Sequence, residues 1–310
     1  MNPTATVQPA SRAGLIAAFA TIYVVWGSTY LAMLIAIQTL PPFLMAGMRF
    51  LFAGSMLFLW LRLRGEPLPA RQNVFVAAAA GGLMLLGGNG LVAWAEQSIA
   101  SGLTALLIAL TPVWFTLLEW IRPGGRRPAG QTLLGIVIGF LGMIWLVAGR
   151  SAGGPTNAIQ SHWGVVALMV AGISWAAGSL LTKYKMPPHS SVWMNAAVQM
   201  ICGGALLLVV GGGLGESQQL HWAQVSRASW LALAYLVLVG SWIGYGAYIW
   251  LLKHSQPAHV ATYAYVNPVI ALMLGSLVMG EKLNIQMLWA AAVILVGVVI
   301  ITLPKRMVPG

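Results

Sequence analysis

The sequence predicts an all-α integral membrane protein whose ten transmembrane helices form two inverted five-helix repeats. Of its 310 residues, 59% are hydrophobic and 7% are charged, whereas a soluble domain carries roughly 25% charged residues. Apolar runs of about 20 residues, the length of an α-helix that crosses a bilayer, recur along the chain. The second half of the sequence also repeats features of the first. Together, these three observations indicate a membrane protein built from a duplicated helical unit.

Charged residues, prolines and glycines separate the apolar runs into ten spans. The first run is too long for the core of a signal peptide, so we interpret it as a retained helix. The connecting loops are short, and we expect no separate domain in them. We expect the spans at about 13–37, 43–63, 74–95, 101–121, 131–149, 163–184, 190–213, 229–252, 257–279 and 286–303.

Lys and Arg are distributed unevenly over the loops. If the N-terminus is cytoplasmic, twelve of the sixteen fall in cytoplasmic loops and tails, while Arg150, Arg227 and Lys282 fall outside. Because positive residues favour the cytoplasmic side of short loops, we expect both termini to be cytoplasmic. The same distribution accounts for the net charge of +11 without nucleic acid as a partner.

Short motifs of the first half recur in the second half. "WGSTY" at 26–30 corresponds to "WAAGS" at 175–179, and "PPFLMAG" at 41–47 corresponds to "PPHSSVW" at 187–193. Several single residues also match at an offset of 156. They are Gly88, Gly90, Trp94 and Pro112, which align with Gly244, Gly246, Trp250 and Pro268.

We therefore expect two repeats, at 1–150 and 151–310. Because five spans are an odd number, the second repeat enters the membrane from the opposite side, and the repeats are inverted. This arrangement is typical of secondary transporters, which bind their substrate between the two halves. An ancient duplication in a structural membrane protein is the alternative.

Two prolines lie deep inside spans four and nine. Pro112 and Pro268 are each about ten residues into a span, so they are about 15 Å deep at the rise of an α-helix. A proline leaves the carbonyl four residues earlier without its helical partner; here those residues are Ile108 and Ala264. Hydrocarbon cannot satisfy such a carbonyl. The two prolines thus indicate a polar cavity between the halves, with a packing kink as the alternative.

Polar and aromatic side chains within the spans are the candidates for the wall of this cavity. Interhelical hydrogen bonds are the alternative for the amides, and an interfacial belt is the general alternative for the aromatic rings. With the two prolines, the predicted substrate-binding residues are Trp26, Tyr30, Asn89, Pro112, Trp175, Gln199, Tyr245, Tyr248, Tyr263, Asn267 and Pro268.

Two charged residues near the membrane interior form a second candidate group. Arg49 lies inside span two and Glu96 lies at the end of span three. An arginine within a membrane span is a functional candidate by default. The two could form a gate or contact a substrate carboxylate, and snorkelling of Arg49 to the lipid headgroups is the alternative.

Other chemistries lack their sequence signals. The single cysteine, Cys202, permits no disulfide within the chain and no cysteine metal cluster. We find no phosphate-binding glycine loop, no metal spacing among the histidines and no serine–histidine–acid arrangement. The sequence therefore predicts a protein that is not an enzyme and has no cofactor and no metal. The expected partners are a small-molecule substrate and membrane lipid, with a monomer sufficient for function.

The pattern resembles the EamA-type transporters of the drug/metabolite transporter superfamily, in particular the branch of YddG/YedA-like amino-acid exporters. The resemblance covers nearly the whole chain. It is carried by "WGSTY" at 26–30, "PPFLMAGMRFLFAG" at 41–54, "NGLVAWAEQSIASGLTALLIALTPVW" at 89–114, "SWAAGS" at 174–179 and "YAYVNPVIALMLGSLVMGEKL" at 263–283.

The resemblance implies a central cavity built by spans one to four and six to nine, with spans five and ten at the periphery. It also implies a location in the bacterial inner (plasma) membrane. The leading hypothesis is an alternating-access transporter that exports aromatic or hydrophobic amino acids and related metabolites. A multidrug or organic-cation exporter is one alternative, and a lipid-moving or structural membrane protein is another.

Overall fold

The computed structural model describes residues 11–125, 127–148, 161–187, 190–255, 260, 263–280 and 285–302. Within these ranges the protein consists of ten principal helices and short connections, so the predicted fold class is confirmed. Seven of them are continuous α-helices: α1 (Arg12–Ala36), α2 (Pro42–Leu63), α5 (Gly130–Ala148), α6 (His162–Lys185), α7 (Val192–Gly213), α9 (Tyr263–Met279) and α10 (Ile285–Thr302).

Three further helices change their geometry along their length. Helix α3 covers Arg71–Ala95 and α4 covers Ser101–Ile121, which is interrupted after Ile108. Helix α8 combines Arg227–Tyr235, Leu236–Tyr245 and Gly246–His254. The connection before α8, expected to be a plain loop, contains a short helix at Glu216–Gln219 and a 3₁₀ turn at Trp222–Gln224. The expected start of span nine, at 257, lies outside the described residues.

Most of these helices have the length and composition of membrane spans. Among the described residues, seven stretches of at least 18 residues qualify, in α1–α4 and α6–α8. Helices α5, α9 and α10 contain shorter apolar stretches, at Gly130–Leu146, Val266–Met279 and Ile285–Ile301.

Helices α2 and α7 pack along each other and run antiparallel. A Cβ atom on Gly47, near the start of α2, would lie 2.7 Å from the Leu208 side chain, near the end of α7. At the opposite ends, Leu61 packs with Met194. Because α2 and α7 are the second helices of their repeats, their opposite directions demonstrate that the repeats are inverted.

The last helices of the two repeats form a second antiparallel pair. Gly135 of α5 lies against Gly297 of α10, and Gly142 lies against Ile294. Glycines at such contacts allow the two backbones to approach closely. Between the pairs, α1 packs against α8 and α9, and its counterpart α6 packs against α3 and α4. The contacts of one repeat therefore recur in the other.

A π-helical stretch occurs at related positions in both repeats. It covers Gly82–Gly90 in α3 and Leu236–Tyr245 in α8. At the 156-residue offset, the first stretch corresponds to 238–246 and overlaps the second. π-Helical turns are rare and frequently occur at functional sites. Both stretches border the central cavity described next.

Candidate functional site

A cavity lies between the two repeats and includes about 690 Å³ of space between atoms, counted with its opening. Its described wall comes from α1–α4 of the first repeat and from α6, α8 and α9 of the second. Residues of α5, α7 and α10 do not occur among the described residues of the lining. The wall is formed by Trp26, Thr29, Tyr30, Met33, Arg49, Phe50, Gly88, Asn89, Val92, Ile108, Thr111, Ala171, Gly172, Trp175, Gly240, Tyr245, Tyr263 and Asn267.

An aromatic cluster forms one side of this cavity, with Trp26 at its centre. The Trp26 ring centroid lies 4.9 Å from that of Tyr248, 5.2 Å from Tyr263 and 5.9 Å from Trp175. The contacts with Tyr263 and Trp175 are edge-to-face, an arrangement that the ring quadrupoles favour. Tyr245 extends the cluster at 6.2 Å from Tyr248. Because Trp26 belongs to one repeat and the other four rings to the second, the cluster bridges the repeats.

Pro112 interrupts α4 beside the cavity. Ala109 and Leu110 form a turn, and the helix resumes at Thr111. The Thr111 hydroxyl donates a hydrogen bond to the Ile108 carbonyl at 2.6 Å. The carbonyl that the sequence predicted to be freed by the proline is thus satisfied within its own helix, and Thr111 itself contributes to the cavity wall.

Pro268 lies within α9 and is buried, as is Pro112. The residue before it, Asn267, lines the cavity. With its amide nitrogen turned towards two backbone carbonyls, Asn267 donates to Tyr23 and to Tyr263 at 3.2 Å each. These bonds connect α9 with α1. Thr111 and Asn267 are therefore equivalent residues of the two repeats, each polar, placed directly before a buried proline and exposed to the cavity.

Gln199 connects three helices beside the cavity. Its side-chain oxygen accepts a hydrogen bond from the Tyr245 hydroxyl at 2.5 Å, and its nitrogen donates to the Thr182 hydroxyl at 3.1 Å. Gln199 is 2% exposed and does not belong to the described lining. Asn89 differs, because it lines the cavity and its amide has no hydrogen-bond partner among the described residues.

Arg49 lies in the cavity wall with only 5% of its surface exposed. Its Nε atom donates to the Ser241 hydroxyl of α8 at 2.9 Å, and Nη1 donates to the Met33 sulfur at 3.6 Å. The guanidinium carbon lies 4.6 Å from the centroid of the Phe50 ring. Glu96, buried at the end of α3, interacts electrostatically with Arg49. The side chain thus lies between the repeats and does not extend to the surface.

Of the residues predicted for the site, Trp26, Tyr30, Arg49 and Asn89 of the first repeat lie in the cavity wall, as do Trp175, Tyr245, Tyr263 and Asn267 of the second. Tyr248 lies behind this wall in the aromatic cluster. Outside the described lining lie Pro112, Gln199, Pro268 and Glu96.

The sequence prediction missed other parts of the wall. Met33 and Phe50 of this wall contact Arg49, Thr29 lies in the same wall, and Ser241, outside the described lining, accepts a hydrogen bond from Arg49. Ordinary apolar and small residues of this kind carry no signal that separates a wall from a packed core. Thr111 did carry a signal, because it precedes Pro112 and aligns with Asn267 at the repeat offset.

Comparisons with known proteins agree with this architecture. The sequence profile of the EamA-like transporter family matches residues 12–148 and again residues 162–303. The chain is 37% identical over 297 residues to the "Uncharacterized inner membrane transporter YedA" of Escherichia coli (strain K12), a match that covers 96% of this chain and 93% of the relative. It is 26% identical over 295 residues to the "Probable amino-acid metabolite efflux pump" of the same strain, with 90% and 91% covered.

A solved structure also shares the fold. It is described as "Crystal structure of protein" and superimposes with a TM-score of 0.64 at 18% sequence identity. The superposition covers 94% of this chain and 96% of the other.

Proposed function

Because the chain belongs to the EamA-like transporter family, we propose that it exports aromatic or hydrophobic amino acids and related small metabolites from the cytoplasm. The carrier would expose the central cavity alternately to the two sides of the membrane. The observation that supports this most directly is the aromatic wall around Trp26, which residues of both inverted repeats build. A site between such repeats is where secondary transporters bind their substrates.

The composition of the cavity wall supports an amphipathic solute. The rings of Trp26, Trp175 and Tyr263 offer apolar surface to an aromatic or branched side chain, and stacking adds to that contact. Asn89 and Arg49 offer polar groups within the same cavity. A relative described as an amino-acid metabolite efflux pump supports the same substrate class and the direction of transport.

An organic-cation or multidrug exporter is the second candidate. Aromatic faces also attract cations, so the cluster around Trp26 would suit a cationic solute as well. The described lining contains no carboxylate that would compensate a positive charge, and it does contain Arg49. Amino acids are therefore the better supported class, and a lipid-moving or structural protein would not need an aromatic cavity of this kind.

The remaining features follow from this proposal. The protein would act without enzymatic chemistry and without a cofactor, and a monomer would suffice, because one chain supplies every described residue of the cavity wall. It would lie in the inner membrane, as YedA does by its description, with both termini in the cytoplasm.

Flux measurements in proteoliposomes test the proposal. We expect saturable uptake of labelled Phe and Trp, with and without a pH gradient, and loss of that flux in Trp175→Ala and Tyr263→Ala. Trp163→Ala is the matched control, because Trp163 lies on the same helix as Trp175 but is 73% exposed. Flux that stays unchanged in both cavity variants would remove the assignment of the aromatic wall, and the absence of any flux in the wild type would contradict transport of these solutes.

A further inference from the structure

We infer that Arg49 forms the subsite for a single carboxylate of the transported solute. This inference rests on the proposed function and narrows its substrate class to solutes that carry one carboxylate next to an apolar body. It starts from the unusual state of the guanidinium, which is buried, charged and only partly hydrogen-bonded.

A guanidinium has five N–H donors and no acceptor. In Arg49 one donor binds the Ser241 hydroxyl, and one reaches the Met33 thioether at 3.6 Å, which is a weak acceptor. Nη2 has no acceptor among the described residues, so three donors stay available. Leaving the donors of a buried charged group unsatisfied is costly, and an anion that enters the cavity would remove that cost.

The neighbours of Arg49 hold its guanidinium in place at the cavity wall. Ser241 holds Nε, and the Phe50 ring covers one face of the group. A Cβ atom on Gly240 would lie 3.1 Å from Nη2, so the glycine allows the guanidinium to lie directly against α8. Gly240 and Ser241 both belong to the π-helical stretch, which therefore acts as the support for Arg49.

The charge balance selects a monoanion. Arg49 is the one charged side chain among the described residues of the lining, and Glu96, which lies outside that lining, interacts with it electrostatically. A planar carboxylate matches the guanidinium with two parallel hydrogen bonds. A phosphate dianion would bring a second charge for which the described wall has no cation.

Arg49 lies in the same cavity as the aromatic rings that would bind the side chain of the solute. Arg49 and the rings of Trp26 and Tyr263 line one cavity. A solute bound through its carboxylate at Arg49 can lay its side chain against these rings. Recognition would thus use two separate regions, one polar and one aromatic, which is typical of small-molecule sites.

Binding calorimetry on the full-length protein in nanodiscs tests the subsite with three probes: L-phenylalanine, L-phenylalaninamide, which lacks the carboxylate, and 3-phenylpropanoate, which lacks the amine. In Arg49→Gln we expect the affinity for phenylalanine and phenylpropanoate to fall roughly 10- to 100-fold, the usual range for losing hydrogen bonds to a charged group. The affinity for the amide should change little. Ser241→Ala should lower the affinity for phenylalanine and phenylpropanoate, relative to the affinity for the amide, by a smaller factor. The charge of Arg49 remains in this variant, but the guanidinium loses the hydroxyl that fixes its position.

The outcomes separate the subsite from the proposed function. Equal losses for all three probes in Arg49→Gln, or no loss at all, would overturn the subsite while leaving aromatic transport intact. Binding of phenylpropanoate but not of phenylalanine would keep the subsite and overturn the amino-acid assignment. Binding of none of the probes by the wild type would overturn both. Should Arg49→Gln fail to fold, Ser241→Ala alone decides, since its effect must differ between phenylalanine and its amide.

Discussion

Gln199 is the polar side chain through which α6, α7 and α8 meet inside the protein. It accepts from the Tyr245 hydroxyl and donates to the Thr182 hydroxyl. Both partners belong to other helices, so the amide fixes the position of α7 relative to the two helices that line the cavity. Tyr245 itself contributes to the wall, and Gln199 thereby sets the orientation of a wall residue that it supports from behind.

We expect Gln199→Met to lower stability by about 1 kcal/mol, because it leaves the buried Tyr245 hydroxyl without its acceptor and removes a hydrogen bond to the partly buried Thr182 hydroxyl. The pair with Tyr245 can be isolated by a double-mutant cycle with Tyr245→Phe, followed by thermal unfolding in detergent. Hydrogen bonds between membrane helices contribute about 0.6 kcal/mol on average in such cycles, and we expect a coupling near that value. Strictly additive effects of the two substitutions would show that the bond does not stabilise the protein.

Several wall residues could be predicted from the sequence because they violate the composition of a lipid-facing helix. Asn89, Arg49 and Asn267 are polar in apolar runs, and each lies in the wall. Gln199 has the same signal and lies outside the wall, because a buried amide can be satisfied by hydroxyl groups of neighbouring helices as well as by a cavity. The sequence shows that such a side chain needs a partner, but not which partner it finds.

At the level of helices, α2 begins without a side-chain cap of its own. Pro41 is its N-cap residue and has no side-chain hydrogen bond to offer. Glu216 supplies the cap from the connection after α7, accepting from the backbone N–H groups of Phe43 at 3.2 Å and Leu44 at 2.8 Å. Gly215, at a φ of 80°, turns the chain so that Glu216 reaches this position.

The other end of the α2–α7 pair shows a related contact. Gly65 has a φ of 82°, and the next residue, Glu66, accepts a hydrogen bond from Ser191 at 3.0 Å. Ser191 is the N-cap residue of α7 and accepts from the Met194 N–H. Each of the two antiparallel helices thus has at its N-terminus a glutamate from the connection that follows the other helix. Glu216 binds the backbone of α2 directly, and Glu66 reaches α7 through Ser191.

We expect Glu216→Ala to destabilise the protein by about 0.5–2 kcal/mol, the range for the loss of a helix N-cap. Glu66→Ala is the matched control and should have a smaller effect, because Ser191 still caps α7. Thermal unfolding of both variants in detergent measures the difference. Equal melting temperatures for Glu216→Ala and the wild type would mean that water replaces the cap without loss.

Glu216 also predicts a dependence of stability on pH. Burial raises the pKa of its carboxyl group above the ordinary value, although the N–H groups of Leu44 and Phe43 offset part of the shift. A raised pKa in the folded state means that the folded protein binds this proton more tightly than the unfolded chain. The contribution of the group is therefore fully present below the ordinary pKa and is lost as pH rises through the raised value.

Glu216→Gln keeps an acceptor for α2 but cannot titrate. We expect its melting temperature to fall less than that of the wild type as pH rises from about 4 to 8. Parallel curves for the two proteins over this interval would show that Glu216 does not titrate there differently in the folded and unfolded states.

The apolar runs of the sequence predicted where helices form, but they did not predict the local geometry of those helices. The glycines of α3 allow close packing, and Gly81 lies directly against the backbone of Gln199. The π-helical register of Gly82–Gly90 and Leu236–Tyr245 has no comparable signal. A π turn differs from an α turn by a shift of one hydrogen-bond acceptor, which side-chain composition does not determine; packing against neighbouring helices decides it.

For the molecule as a whole, the two antiparallel pairs define the relation between the repeats. Helices α2 and α7 form one pair and α5 and α10 the other, and in each pair the corresponding helices of the two repeats contact each other. A two-fold relation with its axis in the membrane plane produces such pairs. The cavity lies on the side of the α2–α7 pair, where α1, α3, α6 and α8 also converge, and this leaves α5 and α10 away from the described wall.

The inverted repeats fix the relative directions of the helices but not which face of the protein meets the cytoplasm. The distribution of Lys and Arg predicts that the connection after α2 is cytoplasmic and the connection after α7 is external. Single cysteines can test this in a Cys202→Ser background, since Cys202 is the one cysteine of the chain. Leu68 and Ser217 suit the test, because both are exposed and lie in these two connections.

We expect a membrane-impermeant maleimide added to intact cells to label Ser217→Cys and to leave Leu68→Cys unlabelled until the membrane is opened. Neither substitution changes a charged residue, so the charge distribution that directs insertion stays the same in both variants. The reverse pattern would place both termini outside the cell. The protein, with its cavity, would then have the opposite orientation in the membrane from the one proposed for export. Labelling of both variants in intact cells would show that the chain inserts in two orientations, in which case the twelve-to-three distribution of positive residues does not determine its topology.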